Sequence, residues 1–193
     1  MAIRSFLAFD LPDELAQFVA KTSDGLRKSR LAVRWVHPGN IHLTVVFMGD
    51  MEEGSIDAIG GSVRGVCSDY APFELMIKGA GYFGSIRSPR VIWIGMDGDI
   101  ERMDSFRDSL QKALKPYGIK EEKRPFRPHI TLGRFRQDTG GGDDLVGIMS
   151  RYKNIESPRG VLNDLAFYRS DPSHRGLFIQ NLGDGGWREA FRK

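Results

Sequence analysis

A single cysteine among 193 residues leaves Cys67 without a partner for an intrachain disulfide. No apolar run approaches the roughly 18 residues of a membrane-crossing helix, and the apolar part of Met1 to Asp10 is too short for a signal peptide's core and cleavage site. These absences make the cytoplasm the expected location and leave stability to a hydrophobic core. No low-complexity linker interrupts the chain, so residues 1–193 are expected to form one domain. The hydrophobic share of 40% is sufficient to core it. Charge is nearly balanced: a net +3 permits a polyanionic ligand without demonstrating one. Cys67 falls where a helical pattern buries it, which suits a small core residue better than a nucleophile. Histidine and threonine are scarce too, at four residues each.

Against that scarcity, two His-x-Thr triplets lie 87 positions apart, in Ile41-His42-Leu43-Thr44-Val45-Val46-Phe47 and Pro128-His129-Ile130-Thr131-Leu132. Chance would place only about 0.08 such triplets in a chain of this composition. Both sit in runs rich in β-branched and aromatic residues, which read as strands, and residues i and i+2 of a strand share a face. His42 therefore shares a face with Thr44, and His129 with Thr131. If the two strands face each other across a cleft, two imidazoles flank one ligand. Such a pair supplies one general base and one general acid to a displacement at phosphorus, and histidine has the unperturbed pKa nearest neutrality. Basic residues gather around the second triplet, at Lys120, Lys123, Arg124, Arg127, Arg134 and Arg136.

Along the chain, Phe6–Phe9 reads as a strand. A helix opened by Pro12-Asp13-Glu14 follows, carrying Leu15, Phe18, Val19, Thr22 and Leu26 on one face. Ala32–Val36 and Ile41–Met48 read as strands around a turn at residues 37–40. Ile56, Ile59, Val63 and Val66 mark a second helix. Phe73–Lys78 and Arg90–Met96 read as strands joined by a Gly/Ser/Pro loop, followed by a helix through Ile100, Met103, Phe106, Leu110 and Leu114. A glycine-rich loop spans Gln137–Asp144, Leu145–Tyr152 reads as a short helix, and Leu162–Tyr168 and Gly176–Leu182 read as closing strands. Strand, helix, strand pair and helix recur at matching offsets from each triplet, as in a degenerate internal repeat with a pseudo-twofold arrangement. His37, in the turn, and His174, in a polar loop, read as surface residues. Trp35, Trp93, Phe9 and Tyr168 read as core in preference to base-stacking surfaces.

Arg34-Trp35-Val36, Asn40-Ile41-His42-Leu43-Thr44, Phe47-Met48-Gly49 and Arg124-Pro125-Phe126-Arg127-Pro128-His129-Ile130-Thr131-Leu132-Gly133-Arg134 resemble the signature of the 2H phosphoesterases. Within that superfamily they are most similar to the RNA 2′,3′-cyclic phosphodiesterases, also called 2′-5′ RNA ligases. The resemblance implies a bilobal α+β fold with two mostly antiparallel sheets, helices outside and a central groove. It further implies His42 as proton donor, His129 as proton acceptor, and Thr44, Thr131 and Arg134 on the phosphate oxygens. No cofactor and no metal are implied, and the substrates are RNA ends or small cyclic nucleotides, opened to a 2′-phosphate by a monomeric enzyme with no membrane attachment. Microscopic reversibility allows reverse 2′-5′ joining, with hydrolysis favoured in water. Strict alternation from His129 puts Arg134 on the opposite face, unless a bulge at Gly133 turns it back. The rival readings are a nucleotide-binding module of the same fold without turnover, and a metal site. The second is opposed by the lack of any Asp, Glu or Cys at a repeated spacing near both triplets.

Overall fold

The computed structural model describes residues 2–136, 142–169, 176–181 and 187–189. The strands form two five-stranded sheets. The first contains β1 (Ala2–Phe9), β3 (Leu43–Glu52), β8 (Asp164–Arg169), β9 (Gly176–Asn181) and β10 (Trp187–Glu189), in the order β10-β9-β8-β1-β3. The second contains β2 (Val33–Trp35), β4 (Phe73–Ser85), β5 (Ser88–Gly98), β6 (His129–Phe135) and β7 (Glu156–Leu162), in the order β2-β6-β5-β4-β7. Every pairing is antiparallel. Each sheet draws strands from both halves of the chain, so the two lobes are interleaved in sequence and neither is a contiguous segment.

Among the described residues four helices cover the sheets, and their apolar stripes decide which lobe each serves. Helix α1 (Asp13–Arg27) has Asp13 and Glu14 in its first turn and Arg27 in its last, complementing the helix dipole. Although α1 follows β1, its buried Leu15, Val19 and Leu26 pack into the core of the second sheet with Ile77, Ile92, Ile94, Ile130 and Leu132. Leu145, Ile148 and Met149 of α4 (Gly142–Tyr152) join them. Helices α2 (Ile56–Ser68) and α3 (Ile100–Leu114) instead place Ile59, Val63, Cys67, Met103, Phe106, Leu110 and Leu114 in the core under β1 and β3. Leu11 and Met96 pack against both cores. Burial pushes the Cys67 thiol up to about 12, so it is a protonated core residue near neutrality. Among the described residues, no helix is long and apolar enough to cross a membrane.

Two expectations need correction, and one strand was not foreseen. The loop expected between Lys78 and Arg90 is strand: β4 and β5 continue into a long hairpin, its irregularities taken up at Gly79 and Gly84, both with positive φ. Strand β7, which runs through Ser157-Pro158-Arg159-Gly160, was not among the expected strands. It is an edge strand, where proline forfeits no ladder bond, and Gly160 is where α1 comes close: a Cβ there would lie 2.8 Å from Leu15 Cγ. The strand expected at Ile41–Met48 is instead Leu43–Glu52, so His42 sits just ahead of β3. His174 and residues 137–141 lie outside the described residues.

Candidate active site

The first triplet enters β3, an edge strand beside β1. Their register pairs Ala8 with Thr44, Leu7 with Val46, Phe6 with Phe47 and Ser5 with Gly49, which leaves Val45 and Met48 as extra residues on β3. Each extra residue is a bulge and reverses the in-out alternation downstream. Leu43, Val45, Val46 and Met48 are accordingly all buried in the first core. Thr44 and Phe47, three positions apart, share the opposite face with Phe6 and Ala8. Phe47 is 72% exposed, the most exposed large apolar side chain among the described residues.

The second triplet repeats this construction. Strand β6 pairs with β5 as Gly95 to His129, Trp93 to Thr131, Ile92 to Gly133 and Val91 to Arg134, leaving Leu132 as the extra residue. Ile130, Leu132 and Gly133 are buried, whereas His129, Thr131 and Arg134 share the face that carries Trp93 and Val91. The bulge therefore turns Arg134 to the side of the histidine. Glycine is needed there because a Cβ on residue 133 would lie 2.4 Å from Val33 Cγ1 and 3.0 Å from the Arg34 carbonyl oxygen. In both lobes the sequence runs His, x, Thr, bulge, one inward residue, then a sixth position on the histidine's face. Phe47 occupies that position in one lobe and Arg134 in the other, and β3 lies beside β6.

The imidazoles are held by one local device used twice. His42 Nδ1 lies 2.8 Å from the Asn40 carbonyl oxygen, and His129 Nδ1 lies 2.7 Å from that of Arg127, in each case two residues upstream. A carbonyl only accepts, so Nδ1 carries the proton in both rings and proton exchange is confined to Nε2. The surroundings differ. His42 stacks on Phe6, with centroids 4.8 Å apart and planes 27° apart, and Phe6 stacks in turn on Tyr168 at 5.1 Å and 7°. Tyr168 donates its hydroxyl proton to Asp10 Oδ1, which fixes the far end of the stack. Phe6, Ala8, Ala166 and Tyr168 form a buried cluster of their own behind the histidine. His129 instead meets Phe83 at 89° and 4.8 Å and Trp93 at 62° and 6.3 Å. Burial lowers the His129 pKa from its ordinary value, partly opposed by the bond to the Arg127 carbonyl.

The expected site residues thus fall into two matched sets, His42 with Thr44 and His129 with Thr131 and Arg134. His37 is exposed and its Nδ1 accepts from the Gly39 N–H at 3.2 Å, a capping role in the turn. Phe9 is fully buried, and Trp35 packs against the second core. Tyr168 and Trp93 are wall residues of the histidines, which propensity could not reveal. Phe47, Phe6 and Phe83 were missed as site residues, since bulges and pairing decide their placement. Among the described residues, no three His, Cys, Asp or Glu side chains cluster as metal ligands. A cavity of about 300 Å³ between α3 and residues 121–126 contains neither triplet, and several of its charges are paired internally, Arg107 with Asp104 and Arg124 with Glu122.

Comparison with known proteins places this geometry in context. The sequence profile of the 2′-5′ RNA ligase superfamily matches residues 11–172. The RNA 2′,3′-cyclic phosphodiesterase of Methanothermobacter thermautotrophicus is 34% identical over 185 residues, covering 94% of this chain and 97% of that protein. The protein of the same name from Archaeoglobus fulgidus is 30% identical over 182 residues, covering 93% and 98%. In fold, the chain resembles TT0787 of Thermus thermophilus, with a TM-score of 0.75 at 23% identity over 94% of this chain and 98% of that one. It also resembles E. coli LigT in complex with 3′-AMP, at a TM-score of 0.64 and 22% identity over the full length of both. With the profile spanning most of the chain and relatives at this identity over nearly its whole length, the protein belongs to the 2′-5′ RNA ligase superfamily.

Proposed function

We propose that the protein is a metal-independent RNA 2′,3′-cyclic phosphodiesterase that opens cyclic phosphate ends to 2′-phosphates. The observation that carries this reading is the duplicated histidine: two imidazoles at the starts of neighbouring strands from the two sheets, each with Nδ1–H bonded to a carbonyl two residues upstream, which directs proton exchange to Nε2. The names of the relatives support the substrate class.

In this mechanism a water attacks phosphorus while His129 Nε2 takes its proton. The P–O3′ bond breaks on the opposite side, and His42 Nε2 delivers a proton to the leaving ribose oxygen. One proton is gained by His129 and one lost by His42, and exchange with solvent restores the pair. The environments fit this division. Burial keeps His129 neutral near pH 7, as a base requires, and a protonated His42 would lie on the π face of Phe6, where a cation is attracted. Thr44 and Thr131 hydroxyls and the Arg134 guanidinium would hold the non-bridging oxygens, where negative charge builds up. Phe47 offers an exposed aromatic face to the base or ribose of the same nucleotide. All these groups come from one chain, so a monomer suffices, and an RNA-end substrate accords with a cytoplasmic enzyme. Reverse 2′-5′ joining uses the same residues in the opposite order.

Incubation with adenosine 2′,3′-cyclic phosphate followed by phosphorus NMR tests the reading. Adenosine 2′-phosphate is expected. A 3′-phosphate product would reverse the orientation of the sugar between the histidines, and tight binding without turnover would leave a nucleotide-binding module.

A further inference from the structure

On the face of β6 that carries His129, Thr131 and Arg134, the neighbouring edge strand β2 brings up a second arginine. The register of β2 with β6 is Val33 to Phe135, Arg34 to Arg134 and Trp35 to Gly133. Val33 is buried and Trp35 packs against the second core, so Arg34 between them points to the other side, that of Arg134. Directly opposed residues of an antiparallel pair have Cβ atoms about 4.5–5.5 Å apart, and like charges in that position destabilise the sheet. Both arginines are exposed, and among the described residues neither has an acidic group within ion-pairing distance. Among the described residues other exposed arginines, such as Arg64, Arg87 and Arg90, also lack an ion pair; what sets Arg34 and Arg134 apart is that they stand directly opposite each other on paired strands. An opposed, unneutralised pair of guanidiniums beside a phosphate site is a place for a second anion.

We infer that Arg34 binds the phosphodiester next to the cyclic end, so that the protein prefers RNA oligonucleotide ends to cyclic mononucleotides. The inference rests on the proposed phosphodiesterase reading. Arg134 is occupied by the reacting phosphate, and Arg34 stands one strand farther out, on the opposite side of β6 from β5, where the chain of a longer substrate continues. A guanidinium suits this role because it offers two parallel donors to two phosphate oxygens, and the bound anion also relieves the repulsion between the arginines.

The test compares kcat/KM for adenosine 2′,3′-cyclic phosphate with that for an adenylyl dinucleotide ending in the same cyclic phosphate, which adds one phosphodiester. The wild type is expected to favour the dinucleotide, and Arg34→Ala to reduce that preference about tenfold or more, the usual strength of a charge-assisted contact. Arg34→Lys should restore part of it. The log–log salt slope of dinucleotide binding should shrink by about 0.7, one ion pair on a single strand. Equal losses on both substrates would put Arg34 on the reacting phosphate, and no loss on either would make it a solvated charge; both results overturn the inference. The Tm of Arg34→Ala should equal or exceed that of the wild type, and a clear fall would mark a structural strut instead. If the wild type turns over neither substrate, the phosphodiesterase reading fails. Calorimetric binding of the 2′-phosphorylated dinucleotide against adenosine 2′-phosphate still reads the same preference, and its insensitivity to Arg34→Ala would then sink the second site.

Discussion

The two histidine strands are built alike and surrounded differently. Each has a His-x-Thr triplet, an Nδ1–H bond to the carbonyl two residues upstream, a bulge after the threonine and a sixth position turned to the histidine's face. What differs is the side chain at that sixth position, Phe47 against Arg134, and the aromatic setting, stacked for His42 and steeply inclined for His129. A displacement at phosphorus needs an acid and a base doing opposite jobs, so a symmetric site would be no use without such differences. On the proposed mechanism, the backbone supplies the symmetry and the side chains around it divide the labour.

The largest expected effect tests the shared part. His42→Ala and His129→Ala should each lower kcat by about 10² to 10⁴, with His37→Ala within twofold of wild type in a cyclic-nucleotide assay. Near-normal turnover in either triplet variant would end the equivalence of the two strands. The sixth positions separate next. Arg134→Ala should lower kcat by about 10² to 10³, as the loss of one transition-state donor does. Phe47→Ala should raise KM for a nucleotide about tenfold with little change in kcat, since a stacked base contributes on the order of 1–3 kcal/mol. Equal effects on kcat would show that the two positions do the same work.

Gly133→Ala probes the bulge. The added methyl meets Val33 and the Arg34 carbonyl, so β2 must shift, and a loss of about 1–3 kcal/mol is expected as a lowered Tm. A variant as stable as wild type would mean that the β2–β6 contact gives way freely.

The smallest effect is on pH dependence. His129 has its folded pKa lowered by burial, so above its ordinary value near 6.5 it is neutral in both folded and unfolded states and contributes nothing to the slope. As pH falls below 6.5 the unfolded chain takes up the proton first, and stability declines until the folded pKa is passed. Denaturant titrations should show that decline in wild type but not in His129→Gln, and the acid limb of kcat/KM should fall below pH 6.5. An acid limb above 6.5 would assign the base elsewhere.

Much of this was legible in the chain because it is local. The triplets, the apolar stripes of α1, α2 and α3 and the core strands follow from periodicities of two and 3.6 residues, which each segment carries within itself. The tautomer-fixing bonds are local too, spanning two residues, yet they depend on the course of the backbone through Asn40 and Arg127, which residue type does not specify. Strand β7 was hidden because Pro158 and Gly160 are tolerated only on an edge that packs against α1, a fact of the assembled sheet.

The sequence by itself determined that each histidine would be paired with a threonine two residues on at or beside a strand, since alternation along a strand needs no partner, although His42 proves to lie just ahead of β3. Only the tertiary structure decided that Phe47 and Arg134 would join them. An extra residue in one strand is defined by what the partner strand lacks. The inversion of face at Val45 and Leu132 is therefore set by pairing with β1 and β5, and by the space that Val33 leaves only for glycine at 133.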